Sequence, residues 1–289
     1  MKVNIIFTFI VFSLFSGFLP HFTTQSVIAS DFHSPRTSAL GGAGHAGPLL
    51  NDAIYLNPSF TAFLPTYSMS GSGMLYKSGN EMDKFKNTWG ASVMDGQTAL
   101  FQAGVGLSRR LPYTMIHLGA AKAAVDRLGF GLGAKYYFKD QNYRHGDQDM
   151  TFSVTGIVMK WFQTAMIVDN ILQRPEGKKI NLYREITLGT KFNIMEILLL
   201  YVDPHWTPSL ERGRWIGYEF GAEITVMSDF YIRLGNFKNA RQPYLLRYAN
   251  GWGAGLGWLG PKLSIDYGLS RVNAPILAFA HNLGLTLYF

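Results

Sequence analysis

The chain has 289 residues, 47% of them hydrophobic and 15% aromatic, with 31 glycines and no cysteine. The missing thiols exclude disulfides, thiolate metal sites, a Cys nucleophile and a lipid-modified N-terminal Cys. The net charge of +7, from 26 basic and 19 acidic residues, is spread singly rather than gathered into the stripe a nucleic-acid binder presents. Nucleic acid is therefore not an expected partner, whereas a basic lumen or rim facing anionic lipid or ligand head groups is.

Met1 to Ala29 reads as an export signal: Lys2 is the charged start, an apolar run extends from Val3 to about Leu19, and Val27-Ile28-Ala29 precedes cleavage. Past it the longest apolar run, Ile194 to Val202, is interrupted by Glu196 and is too short for a helical span. A membrane form would have to be a closed β-barrel, the other architecture that satisfies every backbone polar group in lipid.

Residues 30–65 show no clean alternation. They hold the small-residue stretch Arg36-Thr37-Ser38-Ala39-Leu40-Gly41-Gly42-Ala43-Gly44-His45-Ala46-Gly47, then Asn51-Asp52-Ala53-Ile54-Tyr55-Leu56-Asn57-Pro58-Ser59. Gly42, Gly44 and Gly47 satisfy G-x-G-x-x-G, but a dinucleotide site needs a strand before that motif and a helix after it, and neither is expected here. Gly and Ala let a backbone pack closely against a wall. Asn57-Pro58 suits a turn, because the residue before Pro is pushed out of helix.

From Thr66 onward, alternating segments follow one another to the end, starting near Thr66, Lys86, Thr98, Pro112, Arg127, Met150, Trp161, Tyr183, Met195, Gly213, Asp229, Leu246, Pro261 and Pro275. In one of them Ile216, Tyr218, Phe220, Ala222 and Ile224 alternate with Gly217, Glu219, Gly221, Glu223 and Thr225. In the last, Leu277, Phe279, Leu283, Leu285, Leu287 and Phe289 share one face, opposite Ala278, Ala280, Asn282, Gly284 and Thr286. Period-two alternation gives strands with one greasy and one small or polar face, and an even strand number between 8 and 26 is what membrane barrels use. Tight connections at Asp95-Gly96-Gln97 and Met227-Ser228 contrast with longer polar ones at Ser78 to Phe85, Asp140 to Asp149, Gln173 to Ile180, Asp203 to Gly213 and Lys238 to Leu245. The expectation is an all-β, transmembrane antiparallel β-barrel of about fourteen strands over residues 66–289. Its odd-numbered residues from Leu277 on face lipid.

Gly41-Gly42-Ala43, Ala46, Asp52-Ala53 and Asn57-Pro58 before the first strand resemble the N-terminal segment of the FadL superfamily of outer-membrane transporters, which includes the shorter PorV-like barrels. The final strand, ending on Phe289, resembles the C-terminal signature that the barrel assembly machinery recognises. The resemblance implies an outer-membrane location in a diderm bacterium, about fourteen strands, and a hatch formed inside the barrel by residues 30–65, with Gly41, Gly42, Ala43, Asp52, Asn57 and Pro58 as its marker positions. Where Ala-Gly is usual after Asn-Pro, this chain has Ser59-Phe60. Val168-Asp169-Asn170-Ile171 resembles a strand-end Asn motif of the PorV-like group.

There is no G-x-S-x-G, H-E-x-x-H or calcium-loop pattern, so no enzyme, cofactor or metal is expected. His117, His205 and His281 each stand alone in the sequence. Glu219 and Glu223 fall on one strand face and, with Lys135, Arg233, Arg247 and Asp266, read as a charge network in the lumen that holds the hatch. Two functions follow from the resemblance: a transporter that passes a hydrophobic or amphipathic molecule, or a PorV-like scaffold that holds an exported partner at the outer membrane.

Overall fold

The computed structural model describes residues 33–79, 84–110, 113–139, 147–175, 178, 182–210 and 214–289. The expected signal peptide, residues 1–29, lies outside them. The strands are β1 (Tyr67–Ser78), β2 (Lys86–Asp95), β3 (Gln102–Arg110), β4 (Tyr113–Val125), β5 (Leu128–Lys139), β6 (Asp147–Met159) and β7 (Phe162–Asp169), then β8 (Glu185–Ile194), β9 (Leu198–Trp206), β10 (Ile216–Met227), β11 (Phe230–Gln242), β12 (Leu245–Leu259), β13 (Leu263–Ala274) and β14 (Ala278–Tyr288). Every start expected from the alternation lies beside one of these. Each strand pairs antiparallel with its neighbours, and β14 closes on β1 with Gly71 opposite Leu285 and Met74 opposite Asn282. Closure leaves no edge of unpaired donors and acceptors.

The pleat sorts the side chains as the alternation predicts. Leu132, Leu234, Leu256, Leu283 and Leu285 are exposed on the outside, while Glu219, Glu223, Lys135, Arg233 and Asn282 are buried on the inside. An apolar exterior around a polar interior is the inverse of a soluble barrel and matches a bilayer as solvent. Aromatic residues gather at the strand ends: Trp161 near Phe162 and Phe192 at one rim, Trp206 against Trp215 at the other.

The two ends differ in their connections. On the side of Tyr67 and Phe289 the turns are short, as at residues 126–127, 160–161 and 228–229; on the other side lie the longer links, such as residues 170–184 and 207–215. One expected long loop is not there. Instead of ending near Lys238, β11 runs to Gln242, and β12 begins at Leu245. The polar Lys238 to Gln242 stretch lacks alternation because the pairing slips between Phe237 and Ala240 and again between Arg241 and Gln242. These bulges turn the hairpin tip inward, where Tyr244 packs on Tyr76 with ring centroids 5.5 Å apart and shares a hydrogen bond with Ser270.

Between residue 33 and β1 the chain folds as two short helices, α1 (Pro35–Ala39) and α2 (Asp52–Leu56), and a 3-10 turn at Pro58–Phe63. Ser34 caps α1 by accepting from the Thr37 N–H at 3.1 Å, with Pro35 in the first turn. The other end of α1 explains the paired glycines. Gly41 sits at φ +69, its N–H reaches Ser38 O, and the Gly42 N–H reaches Thr37 O at 2.7 Å. That is a Schellman cap, which requires a left-handed residue just past the helix.

Candidate functional site: the N-terminal segment against the barrel wall

Residues 33–63 are almost wholly buried and touch inward positions around the barrel. Where strand glycines face inward, the backbone of the segment comes so close that a methyl group would overlap it: Gly131 against Ser59, Gly235 against Leu40, Gly253 against Ser38 and Gly268 against Pro35. The apolar contacts are small and separate: Leu40 and Ala43 with Tyr201, Ile54 and Tyr55 with Met94, Ala46 with Ala165 and Ile167. Tyr55 also meets His117 edge to face, with ring centroids 4.8 Å apart.

Ion pairs and hydrogen bonds link these clusters. Arg36 donates from Nε to Glu223 at 3.1 Å and from Nη2 to the Tyr201 hydroxyl at 2.7 Å. Arg233 donates to both Glu223 and Asp266, each at 2.5 Å, so an Arg-Glu-Arg-Asp chain runs from α1 across β10 and β11 to β13. Asp52 accepts from Ser34 Oγ at 2.7 Å, tying the start of α2 to the cap of α1. Burial raises the Asp52 carboxyl, to about 6, against the opposing effects of the Ser34 bond and the Arg36 charge. Asn57, extended before Pro58, donates to His45 O at 2.7 Å and to Thr155 Oγ1 at 2.8 Å and accepts from Ser59 Oγ. The Ser59 N–H in turn donates to Ser153 Oγ at 2.9 Å.

A second anchor lies where the β8 and β9 ladder is interrupted. Pairing lapses between Thr187–His205 and Thr190–Val202, opposite Pro204, which has no N–H to give. Asp203 fills the gap. Its Oδ1 accepts from the Thr190 N–H at 3.2 Å, and its Oδ2 accepts from the N–H groups of Gly44 and His45 at 2.7 and 2.9 Å. His45 Nδ1 lies 2.9 Å from that same oxygen and 3.6 Å from Glu219 Oε2.

The expected lumen charges thus fall into three groups. Glu223, Arg233 and Asp266 form one chain with Arg36. Glu219, although on the same strand face as Glu223, faces His45 instead, and Gly42 lies against its carboxylate. Lys135 joins neither. It stands on β5, five strands round the barrel from β10, and bonds both oxygens of Asp169 at 2.6 Å. Arg247 lies on β12, with its side chain outside the described residues. Arg36, Tyr201, Asp203 and His45 complete these groups without having been singled out in the sequence. His205 Nε2 meets Asn239 O, and His281 pairs with the Tyr267 hydroxyl on the outer surface. Phe289 donates its N–H to Tyr67 O at 2.9 Å, its ring lies 6.3 Å from that of Tyr67, and its carbonyl accepts from Gln97. Beside α1 and α2 a small polar cavity is lined by Ser34, Asp52, Ser70, Ser72, Asp266 and Thr286.

A closed fourteen-stranded barrel with an apolar exterior and a buried polar interior is a transmembrane barrel of outer-membrane type. Its fold is FadL-type. The toluene transporter TodX of Pseudomonas putida superposes with a TM-score of 0.61 at 10% identity, over 91% of this chain and 99% of that one. A FadL homologue of Pseudomonas aeruginosa gives the same score at 10% identity, over 92% and 99%. The outer-membrane protein Omp33 of Acinetobacter baumannii is similar at 0.50 and 11% identity, over 78% and 99%. No protein-family model matches the sequence, and no curated protein does.

Proposed function

We propose that this barrel carries a small hydrophobic or amphipathic molecule across the outer membrane, with residues 33–63 as a plug that shifts to let it pass. The observation that supports this reading is how the segment is held. Ion pairs and hydrogen bonds from Arg36, His45, Asn57 and Ser59 join it to the wall, and the apolar contacts between them are small and scattered. Each such bond contributes about 0.5–1.5 kcal/mol net, or about 1.5–3 kcal/mol when charged, so it can be exchanged for water or ligand one at a time, which a continuous apolar core would not allow. TodX, a toluene transporter by name, shares the fold, which favours an apolar cargo. None of the neighbours named above is a secretion scaffold, so the scaffold alternative gains no support from them.

Planar-bilayer recording of a barrel lacking Arg36 to Ser59 tests the reading. The deleted form should still show the heat-modifiable gel mobility of a folded barrel and should conduct small ions, whereas the full chain stays nearly closed. Equal conductance in the two forms would mean that the segment does not occlude the lumen.

A further inference from the structure

We propose that His45, Asp203 and Glu219 form a binding site for a divalent transition-metal ion of the zinc class, which clips the N-terminal segment to the barrel wall. The three side chains come from three separate parts of the chain: the turn after α1, β9 and β10. Their ligand atoms all lie within 4.8 Å of one another, with His45 Nδ1 2.9 Å from Asp203 Oδ2 and 3.6 Å from Glu219 Oε2. Bonds of about 2.0–2.2 Å to imidazole nitrogen and carboxylate oxygen put tetrahedral ligands about 3.4 Å apart. Small side-chain movements bring this trio to that spacing.

Charge argues for a cation here. Among the described residues, Glu223 pairs with Arg36 and Arg233, Asp266 with Arg233, Asp169 with Lys135, and Glu185 with Arg241. Asp203 and Glu219 are ion-paired to no lysine or arginine in that set, and share one imidazole. Once a metal displaces the ring proton, two carboxylates with a neutral imidazole carry two negative charges, which one divalent ion neutralises. Glu219 is 6% exposed and makes no hydrogen bond in the described set, so its carboxylate, turned toward His45, is available as a ligand. The N–H groups of Gly44, His45 and Thr190 hold Asp203 in orientation, as outer-shell donors do around metal ligands. An imidazole with two carboxylates suits zinc or nickel, whereas magnesium and calcium favour all-oxygen shells. The inference is independent of cargo, since a clip of this kind would bind its ion whether or not anything permeates.

The test uses the full-length protein refolded in detergent, stripped with chelator and titrated calorimetrically with Zn2+ at pH 8, where the ion competes more easily with the proton on Nδ1. About one equivalent should bind saturably and raise the melting temperature, while Mg2+ should do neither. Binding should be lost in His45→Gln and weakened about tenfold or more in Glu219→Gln, and it should be unchanged in His281→Gln, which alters an exposed histidine. Glu219→Gln leaves the His45–Asp203 contact in place, so it carries the test should His45→Gln fail to fold. No saturable binding, equal response to Mg2+, or an affinity unchanged in Glu219→Gln would overturn the proposal.

Discussion

Leu283 is the sixth of the 11 residues of β14, 60% exposed on the outer face, and so stands near the middle of its crossing. An arginine there should cost about 2–4 kcal/mol, the range for a midplane charge on the lipid face of a barrel, which is about a 30- to 900-fold change in the folded-to-unfolded ratio. Leu285 lies two residues further on. At about 3.3 Å per residue and a tilt of about 40°, it is about 5 Å nearer the interface, and its arginine variant should cost visibly less. Thr286 provides the inward control. It lines the polar cavity with Ser70 and Asp266 and shares a 3.0 Å hydrogen bond with Ser70, so an arginine there meets polar partners and should cost less than about 1 kcal/mol. Urea titration of the barrel in phosphatidylcholine vesicles, read by gel mobility, gives the three values. Equal losses at residues 283 and 286, or a larger loss at 286, would mean that the faces are assigned the wrong way round.

Asp52 and Phe289 give two further tests. Because folding raises the Asp52 carboxyl to about 6, the folded state holds that proton more tightly than the unfolded chain. The stability this contributes is present at acid pH and is lost as pH rises through about 6. Asp52→Asn should therefore be more stable than wild type at pH 7, by about 1–3 kcal/mol after allowance for partial exposure, with the gap closing below about pH 4; a less stable variant at pH 7 would refute the burial account. Phe289→Ala keeps both backbone bonds and loses only the ring contact with Tyr67, worth about 0.5–1.5 kcal/mol. If the residue is an assembly signal, the amount reaching the outer membrane should fall far more than that small loss explains, whereas proportionate losses would make it a packing residue.

The strands were legible because a barrel in lipid needs one face apolar and the other not, and residues such as Ile216 to Val226 carry that rule with little interruption. Gly41 and Gly42 were legible as small residues that let a backbone pack closely, whereas their role as the left-handed cap of α1 was not. The anchors were not. Arg36 meets Glu223 and His45 meets Asp203 across separations of 187 and 158 residues, and nothing in the flanking residues encodes which strand a lumen charge will face. Lys135 shows the cost: its inward position could be read from alternation, but its partner depends on how far round the barrel β5 stands from β7. The Lys238 to Gln242 stretch was misread because a bulge breaks the period on which a strand is recognised.

The inward glycines of β5, β11, β12 and β13 have a consequence for how such a chain can change. Gly131, Gly235, Gly253 and Gly268 record the path of another backbone, as a mould records a casting, and what each accommodates is the main chain of Ser59, Leu40, Ser38 or Pro35 rather than a particular side chain. A mould of main chain is indifferent to most substitutions in the segment it fits. At these four crossings the segment's side chains can therefore vary while its route stays fixed, unlike Arg36, His45, Asn57 and Ser59, whose side chains bond the wall, and a single methyl added to one of these glycines would obstruct that route.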